Sequence, residues 1–244
     1  MSKTSGSGKE PNEWKVLHFA NVGTSEEFVQ QLMLEMPELV DAGMIFEPQR
    51  QQVKEAILTI SMEGLLQAFE HLKQIRASVH QTMPELNRKQ YYEDFTRVLW
   101  HAYKDLMPKA ADLMGFDIGF VFQDDKKFEK GLTKFVARHP SLPQPFGPYL
   151  RQQRNNWQKS MQDFRNLFLE HRREEPDKFK NYYLPDQAEG SFEVVWRTIA
   201  DILAICLRSH MPLGHTFVEI PVNERRPEHP RRFRFVLMGE KART

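Results

Sequence analysis

The chain has 244 residues and a mass of 28.8 kDa, with 34 Lys+Arg against 33 Asp+Glu and a formal net charge of +1. That balance excludes a whole-molecule polycation of the nucleic-acid-packaging kind, while 40% hydrophobic and 11% aromatic residues exclude a wholly disordered chain. The single cysteine, Cys206, allows no internal disulfide, which excludes a disulfide scaffold and fits a reducing, cytoplasmic setting.

The opening MSKTSGSGKEPNE has no apolar stretch of the signal-peptide kind, and residues 1–23 read as a disordered lead. Its Gly-Ser-Gly-Lys lacks the spacing of a phosphate loop, and no Ser or Thr follows Lys9. Residues 24–244 read as one domain, mainly α: a helical bundle with a short C-terminal β-hairpin. A first helix is predicted from Thr24 or Ser25, with Glu26 and Glu27 in its favourable first turn and a stop or bend at Pro37. From Thr24 to Glu47 there are six acids and no Lys or Arg, so this face is strongly acidic.

Val53, Ile57, Ile60, Gly64, Ala68, Leu72 and Ile75 follow one another at spacings of 3 or 4, which makes one apolar helical seam. Gly64 inside that seam costs about 1 kcal/mol relative to Ala, a cost that a close helix crossing explains. A third helix is predicted from Asn87 to Leu106, with Tyr91, Phe95, Val98, Leu99, Ala102 and Leu106 inward and Pro108 as kink or stop. A fourth covers Asp125 to Ala137. The four prolines between His139 and Pro148 make a rigid loop. Helices then run from Tyr149 to Glu174 and from Ser191 to Ser209. His215 to Val222 and Arg231 to Met238 alternate as strands, with Phe233, Phe235 and Leu237 on one face and Arg232 and Arg234 on the other. No segment is apolar over the ~18–20 residues that span a bilayer.

Charge is unevenly spread. Tyr149 to Arg173 holds six basic and two acidic residues, and Glu224 to Arg243 holds seven basic and three acidic. Such regions suit local phosphate binding, or simply form solvated faces; Arg154, Arg165 and Arg172 also suit pairing with the acidic first helix. Within the basic helix, Trp157, Met161, Phe164, Phe168 and His171 repeat at 4, 3, 4, 3 and share one stripe. A histidine at the end of such a stripe is either a buried, satisfied imidazole or an acid–base group.

No H-E-x-x-H, no Cys/His cluster with zinc spacing and no G-x-S-x-G elbow occurs, so no metal or other cofactor is expected. His210 and His215 are separated by Met-Pro-Leu-Gly, which reads as a turn, and Cys206 reads as a small core residue.

Arg165-Asn166-Leu167-Phe168-Leu169-Glu170-His171 resembles the R-x(4–6)-H signature of the HEPN superfamily, with a polar Asn after the arginine. The likeness covers those seven residues and a helical setting over most of residues 46–209, a HEPN-like core. It implies a small helical bundle that homodimerises and acts as a metal-independent endoribonuclease of a bacterial toxin–antitoxin or antiviral defence system. The motif residues Arg165, Asn166 and His171 would be catalytic, and Arg151, Arg154, Arg172 and Arg173 would contact RNA. RNA, a second copy of the chain and an antitoxin or defence-system protein are the implied partners. The chemistry is coherent. A histidine moves protons near neutral pH while an arginine fork stabilises the charge growing on a phosphoryl group. In an ideal helix, however, Arg165 and His171 lie about 120° and 9 Å apart, so one helix face does not bring them together. A non-catalytic helical interaction protein, or one that binds RNA without cutting it, is the alternative.

Overall fold

The computed structural model describes residues 35–80, 85–142, 146–166, 185–211, 215–219, 221–224 and 233–237. A short helix α1 (Met36–Ala42) precedes three rods that are helical throughout but change their winding midway. The first rod is α2 (Gln49–Thr59), a π-wound segment π1 (Ile60–Leu66) and α3 (Gln67–His80). The second is α4 (Glu85–His101), π2 (Ala102–Leu106) and α5 (Met107–Leu113). The third is α7 (Phe146–Gln153), π3 (Arg154–Gln158) and α8 (Lys159–Phe164). Between the second and third lies α6 (Asp125–Arg138), and α9 (Pro185–Arg208) follows the third.

The seam read from the sequence is the centre of the core: Val53, Ile57, Ile60, Ala68, Leu72 and Ile75 are all fully buried. Gly64 is buried with them, and a Cβ built on it would stand 2.5 Å from the Cβ of Ala102. The close crossing that its position implied is therefore a contact between π1 and π2. The third π-wound segment meets the same place, because Tyr103 of π2 packs edge-on against Trp157 of π3 at 4.8 Å between ring centroids. Tyr103 Oη also donates to Gln158 Oε1 at 3.2 Å. Farther along, Phe164 of α8 meets Tyr92 of α4 edge-on at 5.7 Å. α9 closes the bundle through Phe192 against Phe69 and an ion pair between Glu189 and Arg76.

Several boundaries differ from the sequence reading. The helix around Pro37 does not stop there: α1 carries Pro37 in its first turn, where a missing N–H costs nothing. Pro108 likewise sits in the first turn of α5 and neither breaks nor closes the second rod. Tyr91 and Val98, expected inward, are only half buried, while Tyr92, Trp100 and Tyr103 fill the core. α4 is regular helix at these positions, and the Phe164 ring of the third rod covers Tyr92 rather than Tyr91. α7 begins three residues before Tyr149, inside the stretch read as loop, and α9 begins six before Ser191. The predicted start of the first helix at Thr24 lies outside the described residues.

His215–Glu219 and Phe233–Leu237 run antiparallel with Phe217 opposite Phe235. The faces expected for Arg232, Phe233, Arg234, Phe235 and Leu237 lie outside the described side chains.

Candidate functional site

The third rod carries the basic residues, and it uses them in two ways. Arg154 is turned inward and 5% exposed. Its Nη1 donates to Val121 O at 2.9 Å, its Nη2 to Gln123 O at 2.6 Å and its Nε to Asp125 Oδ1 at 3.0 Å. Its guanidinium carbon also lies 4.7 Å from the centroid of the Phe128 ring. All of these partners belong to α6 or the turn before it. Arg154 thus clamps that turn to π3 and has no face left for an RNA phosphate. Gln158, one turn on and fully buried, donates to the same Val121 carbonyl at 2.7 Å.

Arg151 is exposed but engaged, gripping Glu129 of α6 with its Nε and Nη2 at 2.8–3.1 Å. That grip holds the Glu129 carboxyl below the usual carboxylate range. Asp125 is held low by its bonds to Lys159 and Arg154. Arg154 therefore pairs with α6 and not with the acidic first helix that the sequence suggested, and Arg151 pairs with α6 as well. Asp41 of α1 pairs instead with Lys54 at 2.9 Å.

On the inner side of the rod a polar chain leads into the core. Tyr149 Oη donates to Asp201 Oδ2 at 2.7 Å, and Trp157 Nε1 donates to Gln153 Oε1 at 3.0 Å. Burial, reinforced by the Asp201 charge, pushes the Tyr149 phenol well above its ordinary value, so it stays a donor. Burial does the same to Tyr103. The Tyr149–Asp201 bond ties α7 to α9 and is closed to solvent.

Of the motif residues, Arg165 and Asn166 follow α8 directly, both half buried, with Arg165 Nη1 3.5 Å from Asn166 Oδ1. His171, Arg172 and Arg173 lie outside the described residues, as does Phe168 of the apolar stripe. Met161 and Phe164 of that stripe are buried and Trp157 half buried, as the periodicity implied.

Arg165 lines an open cleft of about 350 Å³ shared with Glu63 and Gln67 of the first rod and with Arg97, Val98, Trp100, His101 and Asp105 of the second. Inside it, His101 Nδ1 lies 2.9 Å from Asp105 Oδ2, both side chains about half exposed. Arg97 Nη1 donates to Asp94 at 2.7 Å. Sequence reasoning missed His101. The only local signal was an Asp four residues after a His, a spacing that places the two on one helix face.

His210, His139 and Cys206 have structural posts. His210 Nε2 donates to Met114 O at 2.7 Å, which joins the end of α9 to the end of α5. His139 sits between the rings of Phe116 and Phe135, at 4.6 and 4.7 Å, where burial and then Arg138 hold its imidazole below the ordinary value. Cys206 is fully buried, and burial pushes its thiol up, away from the reactive thiolate. Among the described residues, no three His, Cys, Asp or Glu side chains are grouped to hold a metal ion, and no helix is long and apolar enough to cross a membrane.

Comparisons of the chain with protein-family models, with curated proteins and with solved structures found no match.

Proposed function

We propose that the protein is a HEPN-like, metal-independent endoribonuclease of a bacterial toxin or antiviral defence system, acting in the cytoplasm as a homodimer. Arg165, Asn166 and His171 carry the chemistry. His171 and Arg165 assist the attack of the RNA 2′-hydroxyl on phosphorus, with Arg165 stabilising the phosphoryl charge, and Asn166 positions substrate or histidine. An antitoxin or a second defence-system protein is its partner. Arg172 and Arg173 are the RNA contacts kept from the sequence reading; Arg151 and Arg154 are not, because α6 occupies them.

The observation that carries the proposal is the setting of Arg165. In a mainly helical chain, it stands beside Asn166 on the wall of an open cleft that also holds an acid-paired histidine. A permanently charged fork at such a cleft suits a phosphodiester. The test is cleavage of a mixed RNA pool by the purified full-length chain in EDTA. Wild type cuts; Arg165→Ala and His171→Ala do not, while their circular dichroism and melting curves match wild type. A wild type that leaves RNA intact, or an Arg165→Ala variant that cuts normally, refutes the proposal.

A second reading, a helical interaction protein, draws on exposed apolar side chains: Phe46 is 73% exposed, Met44 54%, Met62 46% and Leu58 38%. It predicts self- or partner association that Phe46→Ser weakens and His171→Gln leaves alone.

A further inference from the structure

Attack of a 2′-hydroxyl on phosphorus needs two proton transfers, one away from the nucleophile and one to the departing 5′-oxygen. The described side chains around Arg165 offer a group for each. His101 ends α4, and Asp105, four residues on, accepts from its Nδ1. A carboxylate so placed fixes the ring's tautomer and orientation and leaves Nε2 as the nitrogen that exchanges protons. Glu63, from the first rod, brings a carboxylate to the same cleft.

The backbone gives a reason for this grouping. Glu63 belongs to π1 and Asp105 to π2, the two segments that cross at Gly64 and Ala102. π turns sacrifice regular hydrogen bonding, re-aim the side chains around them and recur at functional sites. Trp100, on the same wall, is 3% exposed, and its indole Nε1–H has no hydrogen-bond acceptor among the described residues. A buried donor left unmade is costly in a folded protein, and a functional role is one of the explanations for it.

We propose that this cleft is a complete acid–base site for RNA phosphodiesters, with His101 as general acid, Glu63 as general base and Asp105 as a positioning residue. The inference rests on the endoribonuclease reading above and deepens it: the two proton transfers fall to Glu63 and His101, and His171 joins Arg165 in stabilising the phosphoryl charge. The O2′–P bond forms as the P–O5′ bond breaks. The 2′-hydroxyl proton passes to the Glu63 carboxylate, and the proton on His101 passes to the 5′-oxygen. The products are a 2′,3′-cyclic phosphate and a 5′-hydroxyl, with Arg165 facing the phosphoryl oxygens and no other reactant consumed.

The experiment uses the full chain and two matched oligoribonucleotides, one ordinary and one with sulfur replacing the bridging 5′-oxygen at the cut site. Sulfur leaves without being protonated, so it removes the need for an acid and not for a base. On ordinary RNA, His101→Gln and Glu63→Gln each lower kcat by at least ~100-fold, the usual worth of a general acid or base. On the sulfur substrate His101→Gln recovers to near the wild-type rate and Glu63→Gln does not. Asp105→Asn lowers kcat without raising KM, and Asp105→Glu regains most of the loss. Both members of the His101–Asp105 pair are half exposed, so these variants are expected to fold, which melting curves verify. Wild-type kcat in His101→Gln overturns the proposal, and so does a loss that persists on the sulfur substrate. If Arg165→Ala is inactive while His101→Gln is fully active, the endoribonuclease reading survives and this inference falls. A wild type that cuts no RNA sinks both.

Discussion

Replacing Gly64 by Ala sets two opposed effects against each other, and the structure decides which wins. Helix propensity alone favours Ala by about 1 kcal/mol. The new Cβ, however, would lie 2.5 Å from Ala102 Cβ and 3.2 Å from Ala102 Cα. Carbon atoms in comfortable contact stand about 3.5–4.0 Å apart, so the first and second rods must separate by roughly an ångström. Neither obstacle is the end of a flexible side chain, so no rotamer change relieves the clash. Overpacking of this kind costs about 1–3 kcal/mol and occasionally more; near its upper end, less the propensity gain, it leaves a net loss of about 2 kcal/mol.

For a chain of this length that loss lowers Tm by about 4–8 °C. Thermal and urea unfolding followed by circular dichroism measure it. The double variant Gly64→Ala/Ala102→Gly removes the clashing methyl and is expected within about 1 kcal/mol of wild type, which implies strong coupling in a double-mutant cycle. A Gly64→Ala variant as stable as wild type, or strict additivity in the cycle, would show that π1 and π2 do not cross as described.

Gly190 gives the opposite sign. It is exposed on α9 with nothing within 4 Å of an added Cβ, so Gly190→Ala should raise stability by about 0.5–1 kcal/mol in the same assay. Arg154→Ala strands the Gln123 carbonyl and strips π3 of its clamp, and should cost about 2–3 kcal/mol. Arg151→Ala breaks only an exposed pair and should cost under about 1 kcal/mol; equal losses from both would contradict the burial of Arg154. His139 supplies a pH dependence. Its folded-state pKa lies below the ordinary 6.5, so the unfolded chain binds the proton more readily. Its contribution is complete above 6.5 and is lost as pH falls through the lowered folded value. His139→Phe should therefore lose less stability than wild type between pH 7.5 and pH 5 in urea titrations, and parallel losses would refute the assignment.

The fold class was legible in the residues, and so was its central seam. Val53 to Ile75 keeps an unbroken 3–4 rhythm, and the helical repeat is local chemistry that a sequence writes directly. The tight spot at Gly64 was legible too, because a glycine in an apolar seam has few other uses. The identity of its partner, Ala102, was not, since that depends on how two rods cross. The π-wound segments left no readable mark either, and contact with the third rod buries Tyr92 and Tyr103 where counting favoured Tyr91.

The candidate site divides the same way. Arg165 and Asn166 stood out because they fall in a short motif on one helix. Arg151 and Arg154 carried the same positive charge in the sequence and looked equally available. Composition fixes how much charge a chain has; tertiary structure decides which charges are already paired. Asp125, Glu129 and two backbone carbonyls, 22 to 33 positions away, neutralise these two arginines. His101 shows the converse. It belongs to no motif, and only the meeting of two rods and the end of a third puts it beside Arg165 and Glu63. The residues alone therefore set this protein's helices, its near-neutral balance and the place of its arginine motif. Which groups share a cleft and which are locked away was decided by long-range packing, because burial and pairing belong to the contacts and not to the residues.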